Sequence, residues 1–472
     1  MKKGPLTYDS MEAAIGNTPM IKLNKLPKEH GIAATFYVKC DYLNPGGSSK
    51  DRICSYMIDA AEKSGKLKPG DTIVESTSGN TGIGLALSAA VRGYKLIITI
   101  PDKMSMEKIN TLKALGAEVI VTPTAVGHDH PDNYVSVARR IGSQPNHFHV
   151  NQYANEANVL AHYNTTANEI WEQMDKKVNY VFISVGTGGT ITGVARRFQE
   201  LDPSVKLIGV DPEGSILALP ETLNTVRKTY KIEGIGQDQV PHILNRGLVS
   251  EWVKINDCES FNMARDMILK EGVLAGGSCG STLIGAFKYL KAKGLEKEEG
   301  LRCVVFLPDS IRNYMTKFLV DEWMIGNNFR PVPRELDPKD YFAGKSIKDY
   351  PAIFKKLPYF DKRLTISDCM DLFKTGLPLL PIRQDSEIVG IVTKQKLINA
   401  ITVQNLNRAS SCSNCLDQNF LRMPSDAPLW LVQRCLSNNY HLILLGAEKD
   451  EIYCPSQSDI IQILDADLKE LI

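Results

Sequence analysis

From about residue 70 to 330 the chain alternates short apolar runs with longer stretches whose apolar residues recur every three or four positions. "DTIVES", "KLIITIP" and "EVIVTPT" read as strands. "TGIGLALSAAVRGY" and "SMEKINTLKALGA" read as the helices between them. "YVFISVG", "KLIGVDP" and "RCVVFLPDS" continue the alternation. Val- and Ile-rich strands joined through helices predict an α/β architecture, with parallel strands covered on both faces. Ligands then bind beyond the carboxyl ends of the strands.

The pattern breaks at "GNNFRPVPRELDPKDY", where prolines and charges crowd together as in an interdomain linker. Beyond it lies a weak repeat. "LTISDCMDLFKTGLPLLPI" leads to "EIVGIVTKQKLINAI", and "APLWLVQRCLSNNYHLILL" leads to "EIYCPSQSDIIQIL". Each half reads as helix, strand, strand, helix, which predicts a pseudo-symmetric module. The expected division is a core over 1–325, a linker over 326–345 and the repeat over 346–472. Ala409–Asp417 reads as the loop between the halves.

With 472 residues, 43% hydrophobic and 23% charged, the chain has the composition of a globular protein of two or three domains. A net charge of +1 gives no general attraction for nucleic acid or membrane. "MKKGPLTYDS" carries no apolar stretch after its lysines, so a secretory signal is not expected. No apolar run approaches a membrane span. The expected location is the cytoplasm. Most of the ten cysteines, including Cys40, Cys54, Cys258 and Cys303, sit singly in apolar patterns and read as reduced core residues. Cys412 and Cys415 form a C-x-x-C without two further ligands nearby. It reads as a chance surface pair, with a redox pair as the alternative.

Three stretches join strand ends to helices. "VGTGGTITGV" has backbone N–H groups placed to face an anion, although it matches neither standard nucleotide fingerprint. Its plain alternative is a turn. "ESTSGNTGIG" holds Ser76, Thr77, Ser78, Asn80 and Thr81, more donors than a helix cap needs, and suits a carboxylate. "NPGGSSKDR" places Lys50 after small residues that let a planar ligand approach, or else is a solvated helix start. Ser310 ends a further strand in "LPDS". An aldehyde cofactor bearing a phosphate needs a lysine, an anion cradle and a partner for its ring nitrogen.

"IGNTP", "NPGGSSKDR", "TSGNTGIG", "GTGGT" and "LPDSIRNYMTKF" together resemble the fold type II pyridoxal-phosphate enzymes of the cystathionine β-synthase and cysteine synthase family, over roughly residues 10–325. The repeat resembles the CBS-domain pair, or Bateman module, that follows the core in some members. The resemblance implies two parallel-sheet subdomains and pyridoxal 5'-phosphate as cofactor. It implies that Lys50 forms the internal aldimine and, once freed, removes the substrate α-proton. Asn80 would hold the cofactor's 3-hydroxyl, Gly186, Thr187, Gly188 and Thr190 its phosphate, and Ser310 its ring nitrogen. Thr77, Ser78, Thr81 and Gln152 would bind the substrate carboxylate. The implied reaction is β-replacement on L-cysteine or L-serine by a sulfur nucleophile, through an aminoacrylate. The partners expected are small amino-acid and sulfur substrates and further copies of the chain, as a homodimer or higher oligomer, with no metal.

The chain departs from that pattern in several places. Fourteen residues precede "IGNTP", too few for a heme-binding extension, so heme is not expected. "EGIGQDQVP" stands where relatives read "EGIGYDFIP", placing Gln237 and Gln239 where aromatics stand near the second substrate. Homocysteine as acceptor, giving cystathionine, and sulfite, giving cysteate and hydrogen sulfide as in cysteine lyase, both remain open. A non-catalytic ligand sensor is the alternative of another class, against which Lys50 argues. "HDHPDNYVSVA" carries His128 and His130 and reads as an exposed loop. In the repeat, Lys396 occupies the place of a nucleotide-binding aspartate after Thr393. Ser456 and Asp459 lack the preceding glycine, which argues against S-adenosylmethionine.

Overall fold

The alternating runs of the first two thirds build two sheets. The structure, a computed structural model, describes residues 7–470 apart from 78, 102, 103, 105, 124–129, 227, 333–340, 355, 385, 386, 403–405 and 447–450. The chain divides into two compact units, one ending at Phe318 and the other covering Leu319–Ile472 together with Pro123–His130.

In chain order the first unit carries β1 (Met20–Lys22), β2 (Thr35–Cys40), β3 (Thr72–Ser76), β4 (Lys95–Pro101), β5 (Glu118–Thr122), β6 (His147–His149), β7 (Tyr180–Ser184), β8 (Lys206–Pro212), β9 (Glu251–Ile255) and β10 (Arg302–Leu307). The larger sheet runs β1-β2-β10-β7-β8-β9 and the smaller β5-β4-β3-β6. Only β1 pairs antiparallel, against β2. All other pairs in both sheets are parallel. β10 shows why these runs are apolar throughout. Cys303, Val305 and Leu307 enter the core beneath helix Gly277–Ala292. Val304 and Phe306 enter the opposite core beneath helix Gly189–Leu201. Side chains alternate across a strand, so a sheet covered on both faces needs apolar residues at every position.

Helices Lys50–Lys63 and Asn80–Arg92 share the core of the smaller sheet, through Ile53, Met57, Ile83 and Ala86 among others. They meet at Gly84. A Cβ there would lie 2.9 Å from Cys54 Sγ and 3.1 Å from the Lys50 carbonyl oxygen. Gly84 is therefore the contact that lets the helix beginning at Lys50 lie against the one beginning at Asn80.

The second unit carries β11 (Phe360–Asp361), β12 (Leu379–Gln384), β13 (Glu387–Thr393), β14 (Phe420–Pro424), β15 (His441–Leu445) and β16 (Ile452–Tyr453). Its two sheets, β11-β12-β13 and β14-β15-β16, repeat one topology: a parallel pair followed by an antiparallel pair. The helices fall where the repeat places them, at Ile366–Lys374 and Lys394–Thr402, then Leu429–Ser437 and Gln457–Glu470.

Two cysteine expectations need correction. Cys412 and Cys415 are buried in the core of the first repeat, beside Cys369, and are not on the surface. Their segment is sewn to the start of helix Ile366–Lys374 by Cys412 N–H to the Leu364 carbonyl (2.8 Å) and Ile366 N–H to the Ser410 carbonyl (2.9 Å). Cys258 is exposed. It falls off the apolar face of helix Asp257–Glu271, which is formed by Phe261, Met263, Ala264 and Met267. All ten cysteines are free thiols. His130 is exposed, and His128 lies outside the described residues. Among the described residues no group of His, Cys, Asp and Glu could hold a metal, and no helix is long and apolar enough to cross a membrane.

Candidate active site around Lys50

The candidate residues follow the carboxyl ends of neighbouring strands. β2, β10 and β7 are adjacent in the larger sheet. "NPGGSSK" follows β2 after the turn Asp41–Leu43, "PDS" follows β10 and "VGTGGT" follows β7. β3 and β6 are adjacent in the smaller sheet, and "TSGNT" and Gln152 follow them. Parallel strands carry all these loops to the same ends of their sheets.

The Lys50 loop is pinned to the end of β10. Ser49 N–H donates to the Pro308 carbonyl (2.8 Å), and Ser310 N–H to the Gly47 carbonyl (3.0 Å). Asp51 Oδ2 accepts from Gly46 N–H (2.6 Å), folding the loop back over the helix start. The charged run is therefore no solvated helix end: Asp51 is 0% exposed and Arg52 2%. Burial pushes the Asp51 carboxyl up to about 7. Arg52 is forked onto Asp41, with Nε–Oδ2 and Nη2–Oδ1 both 2.8 Å, and also reaches Glu169 at 2.6 Å. Lys39 pairs with the same Glu169 at 2.6 Å. Two cations and two carboxylates thus balance beneath the lysine, the arrangement that buried charge requires.

Lys50 itself is half-buried. Among the described residues its amine has no hydrogen bond or ion pair. Burial lowers its pKa, against the opposing pull of Cys54, Asp309 and Asp41. A desolvated amine of this kind is more readily neutral, hence nucleophilic and basic. Ser310 is buried, and its Oγ accepts from Arg312 N–H (3.3 Å), which leaves the hydroxyl hydrogen to donate elsewhere.

The glycine-rich loop has no room for side chains. A Cβ on Gly186 would sit 2.4 Å from the Gly234 carbonyl oxygen. One on Gly188, at φ +86°, would sit 2.4 Å from Leu244 Cβ. Thr187 Oγ1 accepts from Asn158 Nδ2 (3.4 Å), and Thr190 Oγ1 lies 3.1 Å from His162 Nε2. His162 is fully buried, and desolvation drives its pKa down to about 3, so the ring is neutral. Backbone N–H groups at the start of helix Gly189–Leu201 remain for an anion.

On the other sheet, Thr77, Thr81 and Gln152 are all buried. Thr81 Oγ1 donates to Gln152 Oε1 (2.7 Å), whose Nε2 donates to the Ser76 carbonyl (3.2 Å). Thr77 Oγ1 accepts from Gly79 N–H (3.1 Å). Ser78 lies outside the described residues. Asn80 begins its helix and bonds to Asp309 and Asn313, beyond β10, so it ties the two sheets together. Half-buried Gln237 is held by Ser215 through backbone bonds of 2.9 and 3.1 Å, and its side chain bonds to Tyr153. Gln239 is exposed.

Sequence reasoning gave no role to Asp309, Tyr314, Asn158, His162 or Glu75. Asp309 alone had a local signal, as a charge directly after an apolar strand. The others are long-range partners with no distinctive spacing. The donor set fits pyridoxal phosphate: an unpaired, desolvated lysine amine, a glycine-rich anion loop before a helix, and a buried hydroxyl facing the lysine loop.

Comparison with known proteins agrees. Residues 11–309 match the family described as pyridoxal-phosphate dependent enzyme, and residues 347–403 match the CBS domain. The chain is 43% identical over 460 residues to a cystathionine beta-synthase of Dictyostelium discoideum, covering 95% of this chain and 90% of that one. It is 42% identical over 443 residues to that of Apis mellifera, covering 93% and 87%. Among solved structures, a hydrogen sulfide-producing enzyme from Fusobacterium nucleatum aligns with TM-score 0.60 and 36% identity, over 65% of this chain and all (100%) of that one. An O-ureido-L-serine synthase aligns with TM-score 0.62 and 31% identity, over 70% and 98%. The chain belongs to the pyridoxal-phosphate dependent enzymes, as a β-replacing lyase of the cystathionine β-synthase type with a C-terminal CBS-domain region.

Proposed function

We propose that the protein replaces the β-substituent of L-cysteine or L-serine with the sulfur of homocysteine, forming cystathionine. The observation that carries this is Lys50, desolvated and without a partner, on a loop pinned to Ser310 at the end of β10. The likeness to cystathionine β-synthases over nearly the whole chain supports the acceptor.

Bound pyridoxal phosphate supplies an electron sink for charge developing at the substrate α-carbon. Gly186, Thr187, Gly188 and Thr190 would hold its phosphate, Asn80 its ring oxygen and Ser310 its ring nitrogen. A serine is a neutral partner there and leaves that nitrogen less protonated than an aspartate would. Thr77, Ser78, Thr81 and Gln152 hold the substrate carboxylate at the N-terminus of helix Asn80–Arg92. Lys50, made more readily neutral by its desolvated setting, takes the α-proton. The same amine then delivers a proton to the departing hydroxide or hydrosulfide.

A second reading has a specific observation behind it. Gln237 and Gln239 make the acceptor loop polar, and Gln237 reaches Tyr153, the neighbour of Gln152. An anionic acceptor such as sulfite suits that loop, and the products are then cysteate and hydrogen sulfide. Purified enzyme given cysteine with equal homocysteine and sulfite decides between them. Cystathionine as the dominant amino-acid product supports the first reading; cysteate as the dominant product rejects it.

This chemistry needs no heme, since every role falls to residues between 50 and 310. A Soret band in the purified protein contradicts that. The 346–472 module, beyond a 326–345 linker, serves oligomerisation or regulation in a cytoplasmic homo-oligomer. It does so without S-adenosylmethionine. Lys396 stands in the place of the nucleotide-binding aspartate after Thr393, and Ser456 and Asp459 lack the preceding glycine.

A further inference from the structure

Asn80 has an unusually complete set of partners for a ligand-binding amide. Its Nδ2 donates to Asp309 Oδ2 at 2.8 Å, and its Oδ1 accepts from Asn313 Nδ2 at 3.0 Å. The Tyr314 hydroxyl donates to the same Asp309 Oδ2. As a carboxylate, Asp309 offers both of these donors an acceptor only. That assigns the amide of Asn80: nitrogen toward Asp309, oxygen toward Asn313. Of the four hydrogen bonds the amide can make, one N–H and one oxygen lone pair are left.

Asp309 is itself firmly placed. It is 1% exposed. Its backbone pairs with Ser48 of the lysine loop, and its carbonyl accepts from Gly276 N–H (2.9 Å). Its Oδ1 packs where a Cβ on Gly276 would stand, 2.2 Å away, and accepts weakly from Ser278 Oγ (3.4 Å). Tyr314 lies beneath the Lys108 ammonium, 4.7 Å from its ring centroid, and Lys108 is paired with Glu233 at 2.6 Å. Glu233 also pairs with Lys317. The acceptor oxygen facing Asn80 is thus held from both main chain and side chain.

We propose that Asp309 is a positioning residue for the cofactor: it orients the Asn80 amide so that its free N–H is offered to the cofactor's ring oxygen. Asn80 then favours that oxygen as an acceptor and discriminates against its protonated form. This rests on the reading of Asn80 as the ring-oxygen ligand, and the variants separate the two ideas.

The test uses full-length protein, stripped of cofactor and titrated with pyridoxal phosphate. It follows the dissociation constant and the visible absorption of the bound cofactor. Asp309→Ala is expected to weaken binding about tenfold, the value of one well-made hydrogen bond to a charged group. It is also expected to shift the absorption band in the direction seen for Asn80→Ala. Asp309→Asn keeps an acceptor oxygen at the Oδ2 position and is expected to retain the parental band. A general electrostatic or packing role predicts instead that Asp309→Asn behaves like Asp309→Ala. If Asp309→Ala does not fold, Asp309→Ser carries the same expectation. The proposal is overturned if Asp309→Ala or Asp309→Ser leaves affinity and band parental while Asn80→Ala changes them, or if Asp309→Asn is as damaging as Asp309→Ala. If Asn80→Ala changes neither quantity, the underlying reading of Asn80 fails, and the proposal with it.

Discussion

Glu75 is fully buried on β3, one residue before Ser76 and two before Thr77, and neither carboxyl oxygen has a well-formed hydrogen bond. Burial pushes its pKa up to about 8, only partly offset by the nearby amides of Asn151, Gln152 and Ser76. The folded protein then holds this proton in a range where the unfolded chain, with an ordinary value of 4.5, has released it. Stability therefore falls as pH rises from about 4.5 to about 8, by roughly 1.4 kcal/mol per unit at its steepest. Asp51, raised by burial to about 7, acts in the same direction. Glu169 and Glu233 act oppositely. Burial resists their ionisation, but Arg52 and Lys39 hold the first at about 2, and Lys108 and Lys317 the second. Their contribution is complete above 4.5 and is lost as pH falls toward 2. Glu75→Gln should flatten the loss between pH 5 and 8 and leave the variant more stable than the parent at pH 8. Urea denaturation of the cofactor-free protein at both pH values measures this. An unchanged difference between the two pH values contradicts the buried, protonated Glu75.

At the scale of elements, the candidate binding residues lie on loops after parallel strands, where glycines make space. Gly188 combines a left-handed φ of +86° with a Cβ position 2.4 Å from Leu244. Gly188→Ala should therefore weaken pyridoxal phosphate binding by roughly tenfold or more, through a displaced loop, while the sheets stay folded. Fluorescence titration with the cofactor, beside a far-ultraviolet spectrum, separates loss of the loop from loss of the fold. Much of this element scale was legible in the sequence. "KLIITIP", "YVFIS" and "RCVVFL" are strands because β-branched runs flanked by helices have little other use. The two sheets could not be told apart from periodicity, since β3 and β10 read alike and only long-range pairing separates them. β1, β2, β6 and β9 are not read from the sequence, and β1 and β6 are only three residues long. The lysine loop misled in a particular way. "KDR" looks solvated because its counter-ions, Asp41 and Glu169, lie far off in the chain or behind a turn. The Asn80–Asp309–Tyr314 network was hidden for the same reason: its members span residues 80 to 314.

At the scale of the whole molecule, each unit carries its own hydrophobic cores. Among the described residues, three core clusters lie wholly before Phe318 and two wholly after it. Every candidate site residue lies in the first unit. A chain ending at Phe318 should therefore fold and bind pyridoxal phosphate with the affinity of the full chain, by the same titration. Failure to bind would make the second unit part of the site. The repeat was visible in the sequence because both halves keep their helix, strand, strand, helix order. What the halves bind was not, since a capping box such as Ser456–Asp459 and a ligand site use the same residue types. The account as a whole turns on one amine. Borohydride treatment of the cofactor-loaded full chain, followed by peptide mass mapping, tests it most directly. The predicted result is a pyridoxyl-phosphate adduct on Lys50, absent from Lys50→Ala. An adduct on another lysine, or none, would contradict it.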